Sequence, residues 1–410
     1  MKLTRRNLLA AAGASPLSGL ALGAASAAAS RRLPDTAAFA EMQVAYLDSG
    51  SQHPMLLSAK AELDAYLAKR TLDSSASEYE LDTDGPIKKF ASLVNADVDE
   101  VTYVQSTTTG EQMILKALGI PEAGGHIVCD TLHFFGSLPL YEEMERQGME
   151  VTWVRDRDGR IRIEDMKKAI RKGTKLVALS LVSTINGFEH DLKSVCDIAH
   201  ANGALVYADI ILAAGCVPVD LHASGVDFAA CAAYKWLMGD FGLGFLYVRK
   251  DLQPQLKRVN YGYYGMSKFL PHIYPLDPPG ETIADYGFQE NAAGLFALGT
   301  HSHTVVAILN RSLDYIHSLG VREIQKHAQT MTDRLKKELP KRGYALMTPK
   351  DAKTPMVACV CADARKTLSA PLKEANVKIT TSTNRFRASV SVFNGMDDID
   401  RLMAALPKAT

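Results

Sequence analysis

Hydrophobic and polar positions between residues 100 and 250 alternate between two kinds of segment. Short runs rich in β-branched residues, typical of buried strands, are separated by amphipathic stretches typical of helices. The pattern predicts strands at Val101–Gln105, His126–Cys129, Glu150–Val154, Leu176–Val182, Ala204–Ala208 and Gly244–Val248. It predicts helices at Gly110–Leu118, Leu138–Gln147, Ile163–Ile170 and Leu192–Ala201. Strands that alternate with helices in this way indicate βαβ units around a mainly parallel sheet.

The pattern changes after residue 300. It predicts two long helices, Thr304–Ser318 and Val321–Glu338, and then a strand, helix, strand, helix order that ends at Leu406. A proline-rich, aromatic segment from Tyr261 to Phe288 separates the two blocks. Such a segment is typical of a lid or a dimer-contact loop, and a plain surface connection is the alternative. We therefore predict an N-terminal helical segment over residues 31–95, a large α/β domain over 96–300 and a small α+β domain over 301–410.

The composition of the first 30 residues sets them apart from the fold. Thr4-Arg5-Arg6-Asn7-Leu8-Leu9 resembles the twin-arginine export signal, an apolar run follows it, and Ala25-Ser26-Ala27 offers a small-residue cleavage site. A membrane anchor is the alternative, although the apolar run is short and is diluted by alanine and glycine. The sequence thus predicts a signal peptide over residues 1–30, passage through the twin-arginine translocase, and a periplasmic or secreted mature protein.

Composition and charge argue against some classes of ligand. Lys+Arg and Asp+Glu are equal at 46 each, and no long charged block occurs, which argues against nucleic acid or an anionic membrane as a partner. The six cysteines lack paired CxxC spacing and mostly lie in apolar runs, so we expect buried thiols rather than a disulfide framework. No metal site is predicted, and His301 and His303 are interpreted as surface or interface residues. A small molecule is the expected ligand.

One aspartate and one lysine carry the candidate chemistry. Asp209 ends an apolar strand, and Lys235 comes just before the glycine-rich segment Gly239–Gly244. A lysine among small, apolar and aromatic neighbours is a candidate for burial, which lowers its pKa and leaves a neutral, nucleophilic amine. Taken alone, a lysine near a glycine-rich turn is more often a solvated surface residue.

The segment Gln105–Gly110 adds a candidate phosphate site. It follows a predicted strand and opens a predicted helix, and it contains Thr107 and Thr108. Hydroxyls and free backbone N–H groups at a helix N-terminus hold a phosphate well. A plain helix N-cap is the alternative.

These three elements, in this order, resemble fold-type I pyridoxal 5′-phosphate (PLP) enzymes. The segments Asp227-Phe228, Tyr234–Leu237 and Gly242–Tyr247 are similar to the class V aminotransferase branch, which includes cysteine desulfurases, isopenicillin-N epimerase-like proteins and kynureninases. The resemblance covers roughly residues 85 to 405. It implies PLP as the cofactor and an α/β fold like that of aspartate aminotransferase. In that fold a large PLP-binding domain has a mainly parallel, seven-stranded sheet, and a smaller C-terminal α+β domain follows.

The resemblance also implies roles for residues of this chain. Lys235 would hold the cofactor and move the substrate Cα proton, and Asp209 would keep the pyridine nitrogen protonated. Phe134 would stack on the cofactor ring, with His133 as the alternative register. The remaining cofactor contacts that the resemblance implies are Thr107, Thr108, Thr184 with Asn186 close by, and Tyr234.

Two later segments match the same family. Phe296–Thr300 is similar to a Gly-Thr turn, in which Thr300 would reach the phosphate of the neighbouring subunit's cofactor, and this implies a homodimer. Arg387, in the closing segment Arg385–Ser389, would fork onto the substrate carboxylate, because a planar guanidinium pairs bidentately with a carboxylate. A structural ion pair is the alternative role for Arg387.

Departures from the family pattern bear on the reaction. Leu212 stands where the family places a Gln or a His against the phenolic oxygen of the cofactor, and Ala297 replaces a family glutamate. Desulfurases form a persulfide on a nucleophilic cysteine. The loop Ile379–Asn384, before the arginine strand, contains no cysteine, so desulfurase activity is not expected.

The sequence therefore predicts a PLP-dependent enzyme that acts at the Cα or amino group of an amino acid or an amino-bearing peptide, of the aminotransferase or epimerase type. The export signal suggests maturation of an exported peptide natural product. The alternatives are a kynureninase-like or other lyase reaction and a PLP-binding protein without turnover. The sequence does not decide which Cα bond is broken.

Overall fold

The computed structural model describes residues 32–72 and 81–409. The predicted export signal, residues 1–30, lies outside the described residues. From residue 32 onward the chain forms one compact unit. In the ranges described, we find no helix whose length and apolar character would let it cross a membrane.

The helices and strands of the described ranges are numbered in chain order. The helices are Leu57–Leu72 (α1), Gly85–Leu93 (α2), Thr107–Ala117 (α3), Leu138–Arg146 (α4), Ile163–Ala169 (α5), Leu192–Ala201 (α6), Leu221–Ser224 (α7), Ala292–Phe296 (α8), His303–Leu319 (α9), Val321–Glu338 (α10), Ala364–Glu374 (α11) and Met396–Ala405 (α12). The strands are Ala45–Tyr46 (β1), Val101–Val104 (β2), His126–Asp130 (β3), Glu150–Val154 (β4), Thr174–Ser180 (β5), Leu205–Asp209 (β6), Phe228–Ala232 (β7), Gly244–Val248 (β8), Met266–Pro271 (β9), Ala284–Phe288 (β10), Met356–Val360 (β11), Val377–Lys378 (β12), Thr380–Thr381 (β13) and Arg385–Ser389 (β14).

A seven-stranded sheet forms the centre of the fold, in the order β2-β8-β7-β6-β5-β3-β4. Strands β7, β6, β5, β3 and β4 run parallel, and β8 runs antiparallel to both of its neighbours. The predicted α/β fold with a mainly parallel sheet is therefore confirmed. Strand β7 was missed by the sequence pattern, because its run of alanines has low strand propensity and its residues are buried on both faces.

Each face of this sheet packs on its own hydrophobic core. Along β5, Val177 and Leu179 belong to the larger core, whereas Leu176 and Ala178 belong to the core on the opposite face. Successive side chains of a strand point to opposite faces, so a strand covered on both sides reads as a continuous apolar run. Apolar side chains cover both faces of the sheet, so polar side chains can gather only where the strands end.

Packing crosses the domain boundary that was predicted near residue 300. Helix α9 lies against α1 and α2, and it contributes Val306, Leu309 and Leu313 to the larger core of the central sheet. Helix α10 instead contributes Met331 and Leu335 to a third core. The domain limits themselves stay a prediction.

The C-terminal part of the chain builds a three-stranded antiparallel sheet in the order β11-β14-β13. The loop predicted over Ile379–Asn384 therefore includes a short strand, in which Thr380 pairs with Arg387. The N-terminal strand β1 pairs in parallel with β12, so residues 45 and 46 are attached to this C-terminal region. This attachment brings the first described segment of the chain next to one of the last.

The segment Tyr261–Phe288 contains an antiparallel ribbon made of β9 and β10. Large apolar side chains project from it into solvent, among them Tyr274, Leu276 and Ile283. Exposed apolar surface of this kind is typical of an interaction surface. The role of this segment as a lid or a dimer contact stays a prediction.

Candidate active site

Polar and charged side chains gather where the parallel strands of the central sheet end. Ser180 ends β5 and pairs with Asp209, which ends β6, and Lys235 follows the last residue of β7 by three positions. In open α/β sheets, ligands bind beyond the carboxyl ends of the strands. The structure therefore brings the predicted Asp209 and Lys235 to the edge at which this fold binds ligands.

Asp209 is buried at 4% exposure, and its Oδ1 accepts a hydrogen bond of 2.9 Å from the backbone N–H of Ile211. Burial raises the pKa of the Asp209 carboxyl to about 6, although the N–H of Ile211 and the nearby positive charges of His133 and Lys235 oppose this shift. A carboxylate that is poorly compensated inside the protein favours a protonated ring nitrogen as its partner.

Lys235 is 6% exposed, and burial lowers the pKa of its amine to about 8. The charge of Asp209 raises this pKa and that of Arg387 lowers it, so the amine lies within electrostatic range of both. A lysine with a pKa close to neutrality has a substantial neutral fraction, and the neutral amine is the nucleophile.

The candidate phosphate site lies at the N-terminus of α3, which begins at Thr107. The hydroxyl of Ser106 caps this helix by accepting a hydrogen bond of 3.1 Å from the N–H of Thr109. Tyr207 on β6 donates to the carbonyl of Thr107 at 3.4 Å, which ties the helix start to the strand that carries Asp209. Thr108 is the next residue of the same first turn. The N-terminus of α3 therefore lies at the same end of the central sheet as Asp209 and Lys235.

Arg387 lies on β14 and is buried at 5% exposure. Its Nη1 donates to the carbonyl and to the hydroxyl of Thr184, at 2.9 and 2.7 Å, and its Nη2 donates to the hydroxyls of Ser51 and Thr380, at 3.0 and 3.1 Å. Burial lowers the pKa of the guanidinium to about 10, partly offset by Asp48, so the group remains charged at neutral pH. Thr184 thus contacts the substrate-binding candidate, and its predicted contact with the cofactor stays a prediction.

The N-terminal segment from Asp48 to His53 closes one side of the site, and sequence reasoning missed it. Asp48 lies 3.9 Å from Nη2 of Arg387, and the backbone N–H of His53 donates to the carbonyl of Tyr234 at 3.0 Å. The segment is far from both partners in sequence. No local pattern of residues 48–53 indicates the contact.

A buried charged network centres on Glu111, a second group that the sequence analysis missed. Its carboxylate accepts hydrogen bonds from Nε2 of His133 at 3.0 Å, from the hydroxyl of Ser137 at 2.6 Å and from that of Tyr141 at 2.5 Å. The signal was available in principle, because Glu111 follows Thr107 by one helical turn on the buried face of α3. An acid on such a face needs partners.

Burial alone would raise the pKa of Glu111 and lower that of His133. The charge of each group opposes the effect of burial on the pKa of the other. The charge of His133 and the three hydrogen bonds lower the pKa of the Glu111 carboxyl, and the charge of Glu111 raises the pKa of the His133 imidazole. The two groups therefore form a buried ion pair.

The structure distinguishes the two candidate stacking rings by their surroundings. His133 is fully buried, and its Nδ1 lies 2.9 Å from the hydroxyl of Ser180, the strand partner of Asp209. Phe134 instead packs its ring against Phe135, at 4.7 Å between centroids. The backbone N–H of Phe134 also donates to the hydroxyl of Ser180, at 3.1 Å, so both residues lie beside Asp209 and the stacking ring stays a prediction.

Four further positions from the sequence analysis are Tyr234, Asn186, Thr300 and Leu212, and the Nζ of Lys235 lies 5.7 Å from the centroid of the Tyr234 ring. The ring of Tyr234 stacks on Phe241 at 4.3 Å, and the amide of Asn186 donates to the carbonyls of Gly159 and Met347. Asn186 is therefore not available to replace a cofactor contact. Thr300 is exposed and borders the residues of a separate cavity of about 520 Å³ lined in part by Gly299 and His301, which leaves its predicted reach to a neighbouring subunit untested. Leu212 is a core residue, as its apolar side chain requires.

One group of potential metal ligands occurs among the described residues, formed by Asp97, Glu100 and His222. Both carboxylate oxygens of Glu100 are already engaged. Oε2 accepts from the backbone of Asp97 and bonds to His222 at 2.6 Å, and Oε1 accepts from the backbone of Lys250. We interpret the group as a structural cap of the turn before β2.

Comparisons with known proteins agree with this geometry. A family model described as Aminotransferase class-V matches residues 65–402. A probable cysteine desulfurase from Methanothermobacter thermautotrophicus is 29% identical over 304 residues, which cover 71% of this chain and 71% of that protein. The crystal structure of the cysteine desulfurase CsdA from Escherichia coli superposes with a TM-score of 0.77 at 18% identity and covers 90% of this chain and 96% of that one. A cystine C–S lyase, solved with its reaction product cysteine persulfide, superposes with a TM-score of 0.77 at 17% identity and covers 88% and 97%.

These comparisons contradict the expectation that desulfurase activity is absent. Relatives in sequence and neighbours in structure carry the name cysteine desulfurase. The expectation rested on the missing cysteine in Ile379–Asn384, and the names of these relatives overturn it.

Proposed function

The chain belongs to the class V aminotransferase family, whose cofactor is PLP, and on that premise we propose that it acts at the Cα and amino group of an α-amino acid or an amino-bearing peptide. The convergence of Asp209, Lys235 and Arg387 supports this proposal most directly. It combines a buried acid, an amine of lowered pKa and a buried guanidinium at the ligand-binding edge of the sheet.

The residues present fit PLP. Bound PLP supplies an electron sink that weakens the bonds at a substrate Cα. Asp209 would accept a hydrogen bond from the protonated ring nitrogen, and the first turn of α3 at Thr107 and Thr108 would offer backbone N–H groups and hydroxyls to the phosphate. Lys235 provides the neutral amine for the aldehyde, and its pKa of about 8 suits it to take up and return a proton at Cα near neutral pH.

Arg387 is the candidate receptor for the substrate carboxylate. It is a buried cation, and it reaches the site from β14 together with Thr184 and Ser51. A guanidinium and a carboxylate form two parallel hydrogen bonds, which fix the orientation of the substrate as well as its affinity. Orientation matters because the Cα bond that stands perpendicular to the cofactor ring is the one that is weakened.

Two groups of reaction remain to be separated. Transamination and epimerisation begin with loss of the Cα proton, which Lys235 would take under this proposal. Carbon–sulfur cleavage is the second candidate, and the names of the relatives favour it, because cysteine desulfurases and a cystine lyase are among the proteins this chain is similar to. Sulfur-containing amino acids are therefore the first substrates to test, together with kynurenine for the lyase alternative.

The test begins with the cofactor and then follows the substrate. Borohydride reduction of the purified protein should fix PLP on the peptide that contains Lys235, as read by mass spectrometry. Incubation with single amino acids in heavy water should then place deuterium at Cα of a substrate, and cysteine or cystine should release sulfide or persulfide if carbon–sulfur cleavage occurs. A protein that binds PLP on Lys235 but changes no amino acid would be a binding protein without turnover.

We also propose export through the twin-arginine translocase, followed by function in the periplasm or outside the cell. The Arg5-Arg6 pair and the small-residue site at Ala25–Ala27 support it. Cell fractionation of a strain that expresses the full chain should find the protein in the periplasmic or secreted fraction. Replacing both arginines by lysine should retain it in the cytoplasm.

A further inference from the structure

Four of the five N–H donors of Arg387 are engaged inside the chain. Nη1 donates twice to Thr184, and Nη2 donates to the hydroxyls of Ser51 and Thr380. Nε is buried and has no hydrogen-bond partner among the described residues. The guanidinium therefore keeps one unused donor, and that donor lies on the same edge of the group as Nη2.

Asp48 lies behind the two hydroxyls that Nη2 contacts. Its Oδ1 accepts a hydrogen bond of 2.9 Å from Ser51 and another from Thr380, and it is 3.9 Å from Nη2 itself. The two hydroxyls are 3.0 Å apart. Each can donate to the carboxylate while it accepts from the guanidinium. Asp48 is 5% exposed, so these hydroxyls link two buried opposite charges.

The backbone approaches Arg387 closely at the same point. A Cβ at Gly50 would lie 2.6 Å from the hydroxyl of Ser389 and 3.2 Å from Nη2 of Arg387. Within the described residues, the hydroxyls of Ser49 and Ser389 are also buried without partners. Two unused hydroxyls thus accompany the unused Nε of Arg387 in the corner around Gly50, which is more than a structural ion pair needs.

A carboxylate that binds Arg387 side-on uses Nε and one N–H of Nη2. Nε is available, but both N–H groups of Nη2 are taken, so either Ser51 or Thr380 must give up its contact. The displaced hydroxyl keeps its hydrogen bond to Asp48. Two carboxylates then share one guanidinium, and the repulsion between them opposes binding of the second.

We propose that Asp48 is a positioning residue that holds Arg387 through Ser51 and Thr380 in the absence of substrate and competes with the substrate carboxylate. The proposal rests on the assignment of Arg387 as the carboxylate receptor under the proposed function. The expected change in affinity separates this role from a purely structural one. Removing the charge of Asp48 should tighten the binding of an acidic ligand, whereas removing a residue that merely supports the structure should weaken it.

The test compares the holoenzyme with its Asp48→Asn variant, which keeps the shape and an acceptor oxygen but loses the charge. The probe is propionate, with propionamide as the uncharged control, titrated calorimetrically at constant ionic strength. Propionate should bind about tenfold more tightly to Asp48→Asn than to the wild type. This factor corresponds to the shift of about one pKa unit that a neighbouring charge causes, and the affinity for propionamide should not change. In steady state the variant should lower KM for the amino acid substrate by the same factor with kcat unchanged.

Asp197→Asn is the matched control, because Asp197 is an exposed aspartate on α6 that pairs only with Lys193 among the contacts of the described residues. Thr380→Ala is a second test if Asp48→Asn does not fold, and it should tighten propionate binding in the same direction because it frees one N–H of Nη2. Unchanged or weaker propionate binding in both variants overturns the proposal. A cofactor spectrum that responds to no amino acid in the wild type would instead overturn the proposed function, and the propionate titration would still decide the role of Asp48.

Discussion

Replacing Glu111 by glutamine should reduce the free energy of unfolding by about 2–3 kcal/mol. Removing one partner of a buried ion pair costs about 3–5 kcal/mol, and a hydrogen bond to a charged group contributes about 1.5–3 kcal/mol. Three donors, from His133, Ser137 and Tyr141, converge on the Glu111 carboxylate. The glutamine oxygen can still accept from two of them, so the loss should stay below the full value for a broken pair.

The loss of stability in Glu111→Gln should depend on pH, and the shifted pKa values of Glu111 and His133 give the direction of that dependence. The pKa of Glu111 is lowered in the folded protein, so its contribution is present above the ordinary glutamate pKa and is lost as pH falls through the lowered value. The pKa of His133 is raised, so its contribution is full below the ordinary histidine pKa and is lost as pH rises through the raised value. The difference between wild type and Glu111→Gln should therefore be largest between about pH 4.5 and 6.5 and should shrink toward both extremes.

Urea unfolding of the apoprotein, followed by tryptophan fluorescence at several pH values, measures this difference. Glu143→Gln is the control, because Glu143 is an exposed glutamate on α4 that pairs with Arg146, and it should change stability by less than about 0.5 kcal/mol. Combining Glu111→Gln with His133→Gln should give a total loss smaller than the sum of the single losses, because both remove the same pair. A loss for Glu111→Gln no larger than that of the control, or a loss independent of pH, would refute the buried ion pair.

Three further substitutions test the site and its support. Lys235→Ala should abolish fixation of the cofactor by borohydride while leaving the melting temperature of the apoprotein equal or higher, because a buried amine is removed. Asp209→Asn should weaken cofactor binding by about tenfold or more in a spectroscopic titration, since the amide cannot stabilise a protonated ring nitrogen. Gly215→Ala should destabilise the fold by more than about 2 kcal/mol in urea, because its φ is +93° and its Cβ would lie 2.5 Å from the carbonyl oxygen of Trp236. The matched Gly242→Ala, at φ +87° with open space, should lose about 1 kcal/mol.

Periodicity was sufficient to predict most of the central sheet and the helices that cover it. Strands β4 and β8 and helices α6 and α10 begin and end where the pattern placed them. Their boundaries coincide with changes between apolar runs and turn residues, which are local properties. Strand β7 has no such signal, because alanine-rich runs fit a buried strand only when the neighbouring strands are already in place.

The sequence predicted those candidate site residues whose own neighbours along the chain give a signal. Asp209 ends a predicted apolar strand, Lys235 precedes a glycine-rich segment, and Thr107 lies in the segment that opens a predicted helix, so each could be singled out from its own neighbourhood. The contact between Asp48 and Thr380 joins residues 332 positions apart, and only the tertiary fold determines it. Adjacent aromatic rings such as those of His133 and Phe134 give no local signal for which of them faces a ligand, so the identity of the stacking ring stays a prediction.

The pairing of β1 with β12 also bears on when the protein becomes competent during synthesis. Residues 45 and 46 pair with residues 377 and 378, and Arg387 belongs to a strand that ends only at residue 389. A ribosome must therefore release nearly the entire polypeptide before the guanidinium meets its hydroxyl partners. Premature termination anywhere before that strand yields a chain without Arg387, the proposed receptor for the substrate carboxylate, however well its central sheet has folded.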